Sequence, residues 1–277
     1  MKKSMLSTKQ SYLMCAVGIV VLFGILMGVC ESGMASTYIK GIMMTSCIAI
    51  IMTTSLNLTI GVLGQLTLGC CGFEAIGAYV AALTSKYMVA AGIAIDPTAR
   101  FLLTTLIGGV VACVFGILIG IPALRLHGDY LAIITIAANY IIISVIINID
   151  FVGGPRGLTG MRGVVRAMES VAEIPWMMIW MLLGVMITTM MLHRLVNSTL
   201  GKGIPAVCQN EVAAEIMSVN TKKVKLVAFM VSAGIAGMAG AVYAHMFSSI
   251  YANSFGIMKS TEAMVMVYLG GMGSLSG

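Results

Sequence analysis

"FLLTTLIGGVVACVFGILIGIPALRLHGDYLAIITIAANYIIISVIIN", residues 101–148, holds two long apolar runs separated by one short polar interruption, Arg125–Asp129. The runs, 101–124 and 130–149, each reach the roughly 20 residues that an α-helix needs to cross a bilayer core. The pair reads as a membrane hairpin, and the remainder of the chain has the same character. Of 277 residues 59% are hydrophobic and only 9% charged, with 25 Met and 32 Gly. A water-soluble domain of this length leaves too many positions facing solvent to hide that much apolar surface, so the solvent is lipid.

Further spans are expected at about 12–30, 38–56, 66–88, 176–196, 224–247 and 261–277, the third interrupted and the last short. The fold class is therefore all-α, a polytopic transmembrane helix bundle of about eight spans forming a single domain over 1–277. Met1-Lys2-Lys3 before the first run looks like a signal peptide, but no small-x-small site with a polar mature protein follows, so an uncleaved first helix is expected. Small residues recur at four-residue spacing: Gly24 and Gly28, Gly116 and Gly120, and Ala233, Gly237, Ala241 beside Ala236, Gly240, Ala244. In lipid such faces bring helices together by close backbone approach. No repeat with a period between 20 and 50 residues is visible.

The net charge of +6 belongs to topology rather than to nucleic acid. With the N-terminus inside, Lys2, Lys3, Lys9, Arg125, Arg194, Lys202, Lys222, Lys223 and Lys225 are cytoplasmic, nine of the sixteen basic residues. The loop 150–175 then lies outside. Cysteines 15, 30, 47, 70, 71, 113 and 208 form no CxxC pair or metal-type spacing and read as small buried hydrophobes; no metal or cofactor is expected.

Charge gathers in "GKGIPAVCQNEVAAEIMSVNTKKVK", residues 201–225, which holds six charged residues where the average predicts about two. Between Pro205 and Asn220 the pattern is helical. Cys208, Val212, Ile216 and Val219 make one apolar stripe, with Glu211 and Glu215 a turn apart on its flank. Asn220 and Thr221 can cap the helix that follows, whose first turn carries Lys222, Lys223 and Lys225. These lysines oppose the helix dipole, so cytoplasmic retention rather than local helix energetics explains them. The pattern admits two readings: an amphipathic helix resting on the membrane surface, or a docking element whose stripe enters a groove on a soluble partner while Glu211 and Glu215 meet basic groups at its rim.

Inside the apolar runs a few polar positions stand out. "NLTIGVLGQLTLG", residues 57–69, places Asn57, Thr59, Gln65 and Thr67 with Gly61, Gly64 and Gly69 at membrane depth. Unpaired amides there are costly, so the segment is either a tight helix crossing with interhelical hydrogen bonds or a broken helix lining a translocation path. Glu74 is a carboxylate in the interior of a span. It is a functional candidate by default, or else sits near an interface or is protonated. Asn139 faces either a partner amide or the path. "RLHGDY" holds Arg125, His127 and Asp129, but a turn with Gly128 ending one helix and Asp129 capping the next explains it better than a catalytic pair. "GGPRGLTGMRG" carries Arg156 and Arg162 on a Gly-rich outer loop. No G-x-x-x-x-G-K-[ST] occurs, so the chain does not cradle a nucleotide by that device.

The order of "NEVAAEIMSVNTKKVKLVAF" resembles the Glu-Ala-Ala coupling segment of ABC-importer permeases, in the form found in the branched-chain amino-acid permeases of the LivM type. "LNLTIGVLGQLTLG" (56–69) with "IGAYVAALT" (76–84), "LRLHGDYLAIITIA" (124–137), "GGPRGLTG" (153–160) and the terminal "YLGGMGSLSG" agree in order. The resemblance implies a non-enzymatic permease subunit in a bacterial plasma (inner) membrane, importing branched-chain or related hydrophobic amino acids. Its partners would be ABC ATPase subunits, a second homologous permease subunit and an external substrate-binding protein. It makes 197–222 a cytoplasmic coupling segment whose short helix, 206–217, meets the ATPases through Cys208, Glu211, Val212, Ala213, Ala214, Glu215 and Ile216. It draws Asn57, Gly61, Gly64, Gln65, Gly69, Glu74 and Asn139 toward a substrate path.

Three departures accompany it. Ser218 stands where the family usually has Gly. Cys70-Cys71-Gly72-Phe73-Glu74 replaces a His-Ala-Ala-Phe run. Family members usually continue with another membrane helix after a Gly-rich turn like the one at Gly277. Urea and short-amide permeases are close relatives. Outside the family, a secondary transporter would need charged relays within the spans, for which Glu74 and Asp150 are candidates. An intramembrane enzyme would need paired catalytic groups, and no His-Glu-x-x-His or Gly-x-Ser-x-Gly is present.

Overall fold

The computed structural model describes residues 37–92, 96–126, 128–160 and 176–273. The expected span at 12–30, with Gly24, Gly28 and cysteines 15 and 30, lies outside the described residues, as does Arg162. The described chain is helical apart from one two-stranded clip. Its elements are α1 (Thr37–Asn57) running into a π-helical turn (Leu58–Val62), α2 (Cys70–Ala90), α3 (Pro97–Ala123), α4 (Asp129–Asn148) and β1 (Leu158–Thr159). Then come α5 (Trp176–Asn197), α6 (Thr199–Gln209), α7 (Glu211–Ile216), α8 (Thr221–Met246), β2 (Ser249–Ile250) and α9 (Ile257–Gly270).

Among the described residues, five stretches are long and apolar enough to cross a membrane: Tyr38–Val62, Pro97–Ala123, Tyr130–Asn148, Trp176–Asn197 and Thr221–Met246. A helix satisfies its own backbone in hydrocarbon, so lipid selects this geometry. The apolar exterior agrees: Leu106, Val110, Val114 and Leu118 along α3 are exposed.

Two expected spans differ. The 66–88 segment is helical only from Cys70, and thirteen of the 21 residues of α2 are buried, making it the axis of the bundle. The last span starts earlier than expected, at Ile257, and ends at Gly270 after 14 residues. At 1.5 Å per residue it covers about 21 Å, short of a core of about 30 Å.

The axis is built on glycine. A Cβ on Gly77 of α2 would fall on the Gly237 carbonyl of α8, one on Gly240 on the carbonyl of Glu74, and one on Gly108 of α3 on the Gly77 carbonyl. No other residue lets α2, α3 and α8 approach so closely, as the small-residue spacing of α8 predicts. α1 joins this seam through serines, Ser55 Oγ donating to the Ser232 carbonyl at 2.7 Å and Ser232 Oγ to the Ser55 carbonyl at 3.0 Å.

β1 and β2 pair antiparallel, Leu158 opposite Ile250 and Thr159 opposite Ser249. Tyr79 of α2 donates its hydroxyl to the Ile250 carbonyl at 3.3 Å.

At the "RLHGDY" turn, Gly128 (φ 65°) immediately precedes α4. Asp129 is thus the first helical residue and not the cap.

The expected single helix 206–217 is two helices. Asn210 (φ −158°, ψ 108°) breaks it, its Oδ1 accepting from the Ala213 amide at 3.1 Å. Asn favours this because its side chain replaces the backbone acceptor missing from a helix's first turn. After α7, Ser218 takes φ 63°, the left-handed turn for which Gly is the usual residue, and the Val219 amide closes onto the Ala214 carbonyl at 3.0 Å. Asn220 caps α8 as expected, accepting from the Lys223 amide at 3.0 Å.

Candidate functional site

Two places gather polar chemistry. The first is the α6–α7 pair, outside the five spanning stretches. Its inner face is apolar: Ile204, Val207 and Ala214 are buried. Its outer face is apolar too, with Val212 68%, Ile216 78% and Met217 77% exposed. In a segment this polar, three exposed large hydrophobics on one short helix mark a contact surface.

The two carboxylates of α7 also reach toward α8. Glu211 turns back to α8, accepting from Lys225 Nζ at 2.6 Å, with the Lys225 side chain 5% and that of Glu211 31% exposed. Glu215 accepts from Thr221 Oγ1 at 2.8 Å. Together they clamp α7 onto the first turn of α8. Both carboxylates, expected at the rim of a docking surface, therefore also have partners within this chain, while Glu215 stays exposed. The clamp also gives Lys225 a structural partner that its place in the sequence alone did not suggest.

Cys208 is exposed but leaves the stripe, because the break at Asn210 interrupts the helical register. It faces Gly64 instead, where a Cβ would meet its Sγ. Gly64 (φ 72°) belongs to the interruption after α1, so α6 rests directly on the broken segment. That segment is tied internally: the Gln65 amide reaches the Thr59 carbonyl at 2.9 Å, and the Thr59 and Thr67 hydroxyls are 3.2 Å apart. The Leu68 amide donates to Thr135 Oγ1 of α4 at 3.1 Å, and Gly69 packs on the Thr135 backbone.

The second place surrounds Glu74. Its side chain is fully buried, and Oε1 accepts from Lys259 Nζ of α9 at 2.6 Å while Oε2 has no hydrogen-bond partner. The Lys259 ammonium also lies 4.1 Å from the Tyr243 ring centre and 4.7 Å from that of Phe255, over the negative faces that attract a cation. A cavity of about 140 Å³ adjoins the pair, walled by α1, α2, α8 and α9.

The residues expected along one substrate path are thus dispersed. Asn57 Oδ1 accepts from the Gly273 amide at 3.0 Å, and Gly61 packs against the same two residues. Gly64 meets α6. Gly69 borders a second void of about 10 Å³, room for one water. The Gln65 Oε1 and both polar atoms of the Asn139 amide are buried without a partner. Only Glu74 lines the larger cavity.

Sequence reasoning missed Lys259, Tyr243 and Glu262, which share that cavity with it. In the sequence Lys259 falls between the expected spans 224–247 and 261–277. Its charge was the available signal, but nothing local links it to a residue 185 positions earlier.

Residues 38–277 match the family model described as the branched-chain amino acid transport system / permease component. The chain is 32% identical over 251 aligned residues to the "high-affinity branched-chain amino acid transport system permease protein LivM" of Escherichia coli (strain K12), a match covering 82% of this chain and 57% of that protein. The protein of the same name from Salmonella typhimurium matches to the same extent. A "probable branched-chain amino acid transport permease protein LivM" of Methanocaldococcus jannaschii is 24% identical over 179 residues, covering 64% of this chain and 51% of that protein. The chain therefore spans about half the length of the curated relatives it matches. No solved structure matches it. With several apolar helices of spanning length and a family match that covers most of its residues, the chain is a multi-pass membrane protein that belongs to the branched-chain amino acid transport system permease family.

Proposed function

We propose that this chain is a membrane-spanning permease subunit of an ABC importer in a bacterial plasma (inner) membrane. It moves branched-chain amino acids inward together with a second permease subunit, two ATPase subunits and an external binding protein. It performs no catalysis itself; ATP is hydrolysed by the partners. The observation that carries this reading is α6–α7. A short helix outside the spans presents Val212, Ile216 and Met217 outward and is held by a cap, a left-handed turn and an ion pair. A rigid apolar knob on a fixed stem suits insertion into a cleft on a soluble partner. The substrate assignment rests on the names of the relatives.

For an ATPase to drive transport, it must bind one arrangement of the bundle better than another. α6 resting on the interruption at Gly64 gives a direct route from the docked knob into the membrane helices.

The test is co-purification of partners from gently solubilised native membranes, comparing the native chain with the Val212→Asp/Ile216→Asp double variant. Both sites are exposed, so the bundle is expected to keep its elution and melting behaviour. An ATPase that accompanies the native chain and not the variant supports the proposal. If neither brings down an ATPase, the importer reading is refuted in favour of a self-powered transporter.

A further inference from the structure

The cavity beside Glu74 and Lys259 has the makings of a binding site that no motif of this sequence marks. Its walls are mostly apolar, Ile48 and Met52 from α1 and Ala263 and Met266 from α9, with Tyr243 of α8 at one side. At about 140 Å³ it approaches the roughly 150 Å³ of an engineered cavity that holds benzene. Set into this apolar wall are a carboxylate and an ammonium already in contact at 2.6 Å. Each has bonding capacity left. Glu74 Oε2 is buried with no partner, and an ammonium has three protons, of which Lys259 gives one to Glu74. The Lys259 side chain is 28% exposed, so it keeps an accessible side.

We propose that this cavity binds a small zwitterion with an apolar side chain, an α-amino acid, its ammonium on Glu74 Oε2, its carboxylate on Lys259 and its side chain among Ile48, Met52 and Met266. Charge balance selects the zwitterion. With Glu262 exposed at the rim, the buried wall holds only the neutral Glu74–Lys259 pair, and a lone cation or anion set against that pair would leave one uncompensated charge in low dielectric. A zwitterion laid antiparallel to the pair gives each of the four charges an opposite neighbour. Glu262, exposed at the rim, faces the approach. The assignment rests on the functional reading above and adds to it the residues that recognise the substrate.

The experiment is uptake of labelled L-leucine by the complete transporter reconstituted in vesicles, with melting and partner co-purification followed in parallel. Three variants are compared: Glu74→Gln, Lys259→Met and Ala49→Trp. The last fills the cavity from its α1 wall and leaves the ion pair intact. Each is expected to cut uptake at least tenfold while the ATPase still co-purifies. Leucinamide, which lacks the carboxylate, and 4-methylpentanoate, which lacks the ammonium, are expected to compete at least a hundredfold more weakly than unlabelled leucine. If Glu74→Gln does not fold, Ala49→Trp decides. Native-like uptake by folded variants, or competition by either analogue as strong as by leucine, overturns this site and leaves the functional reading standing. No uptake by the native assembly overturns that reading and this site with it.

Discussion

Removing Glu211 isolates a lysine that the fold has nearly closed off from water. Lys225 Nζ lies 2.6 Å from Glu211 Oε1, with the Lys225 side chain 5% exposed. At an effective dielectric of about 20, that contact is worth roughly 6 kcal/mol of gross Coulomb energy, most of it offset by desolvation and side-chain ordering. Orphaning a fully buried charge costs about 3 to 5 kcal/mol. Glu211 is 31% exposed, and a lysine near a helix start can extend its stem toward water, so Glu211→Ala is expected to cost about 2 kcal/mol. The loss falls on the docking of α7 against α8 rather than on the whole bundle. At 1.4 kcal/mol per factor of ten, the open population of α7 rises about 30-fold. Hydrogen exchange by mass spectrometry reads this at the Met217 and Val219 amides, which bond to the Ala213 and Ala214 carbonyls. The Glu211→Ala/Lys225→Met double variant is expected to return to within about threefold of native, because it leaves no buried charge unpaired. Unchanged exchange in the single variant, or exchange in the double variant as fast as in the single one, would refute the clamp.

Four further substitutions probe the frame. Gly240→Leu drives a side chain into the Glu74 backbone and is expected to cost at least about 3 kcal/mol, read as loss of a monodisperse, cooperatively melting protein in detergent. Ser218→Gly relieves a left-handed residue (φ 63°) worth about 1 to 2 kcal/mol; after the added chain entropy of glycine the net gain is under about 1 kcal/mol, seen as a higher melting temperature. Gly64→Ala incurs about 1 to 2 kcal/mol from φ 72° and also meets Cys208 Sγ. Adding Cys208→Ala is expected to recover the steric part only, which a double-mutant cycle on melting measures.

Five of the expected spans were legible because lipid punishes polar groups along a whole helix, so each run of apolar residues carries the same message. The cap at Asn220 was visible for a local reason as well, an amide three residues away. The break at Asn210 was not visible, because Cys208, Val212 and Ile216 keep helical spacing across it and periodicity is blind to a single residue's backbone angles. Glu74 announced itself as a charge inside an apolar run. Its partner did not, since Lys259 lies on a helix 185 positions along the chain, and contacts made by packing leave no periodic trace.

The glycine seam and the β-clip divide the molecule mechanically. α2, α3 and α8 meet where their backbones touch, and the clip fastens the chain after α4 to the chain after α8, so these four helices are joined as one block. α1 is pinned to the block by the Ser55–Ser232 pair and carries α9 on its other side. The cavity falls between them, with Glu74 and Tyr243 on the block and Met52 and Lys259 on the α1–α9 arm. The Ser55–Ser232 pair and the Glu74–Lys259 ion pair are thus two polar ties between arm and block, and any widening of the cavity at Lys259 would lengthen the second.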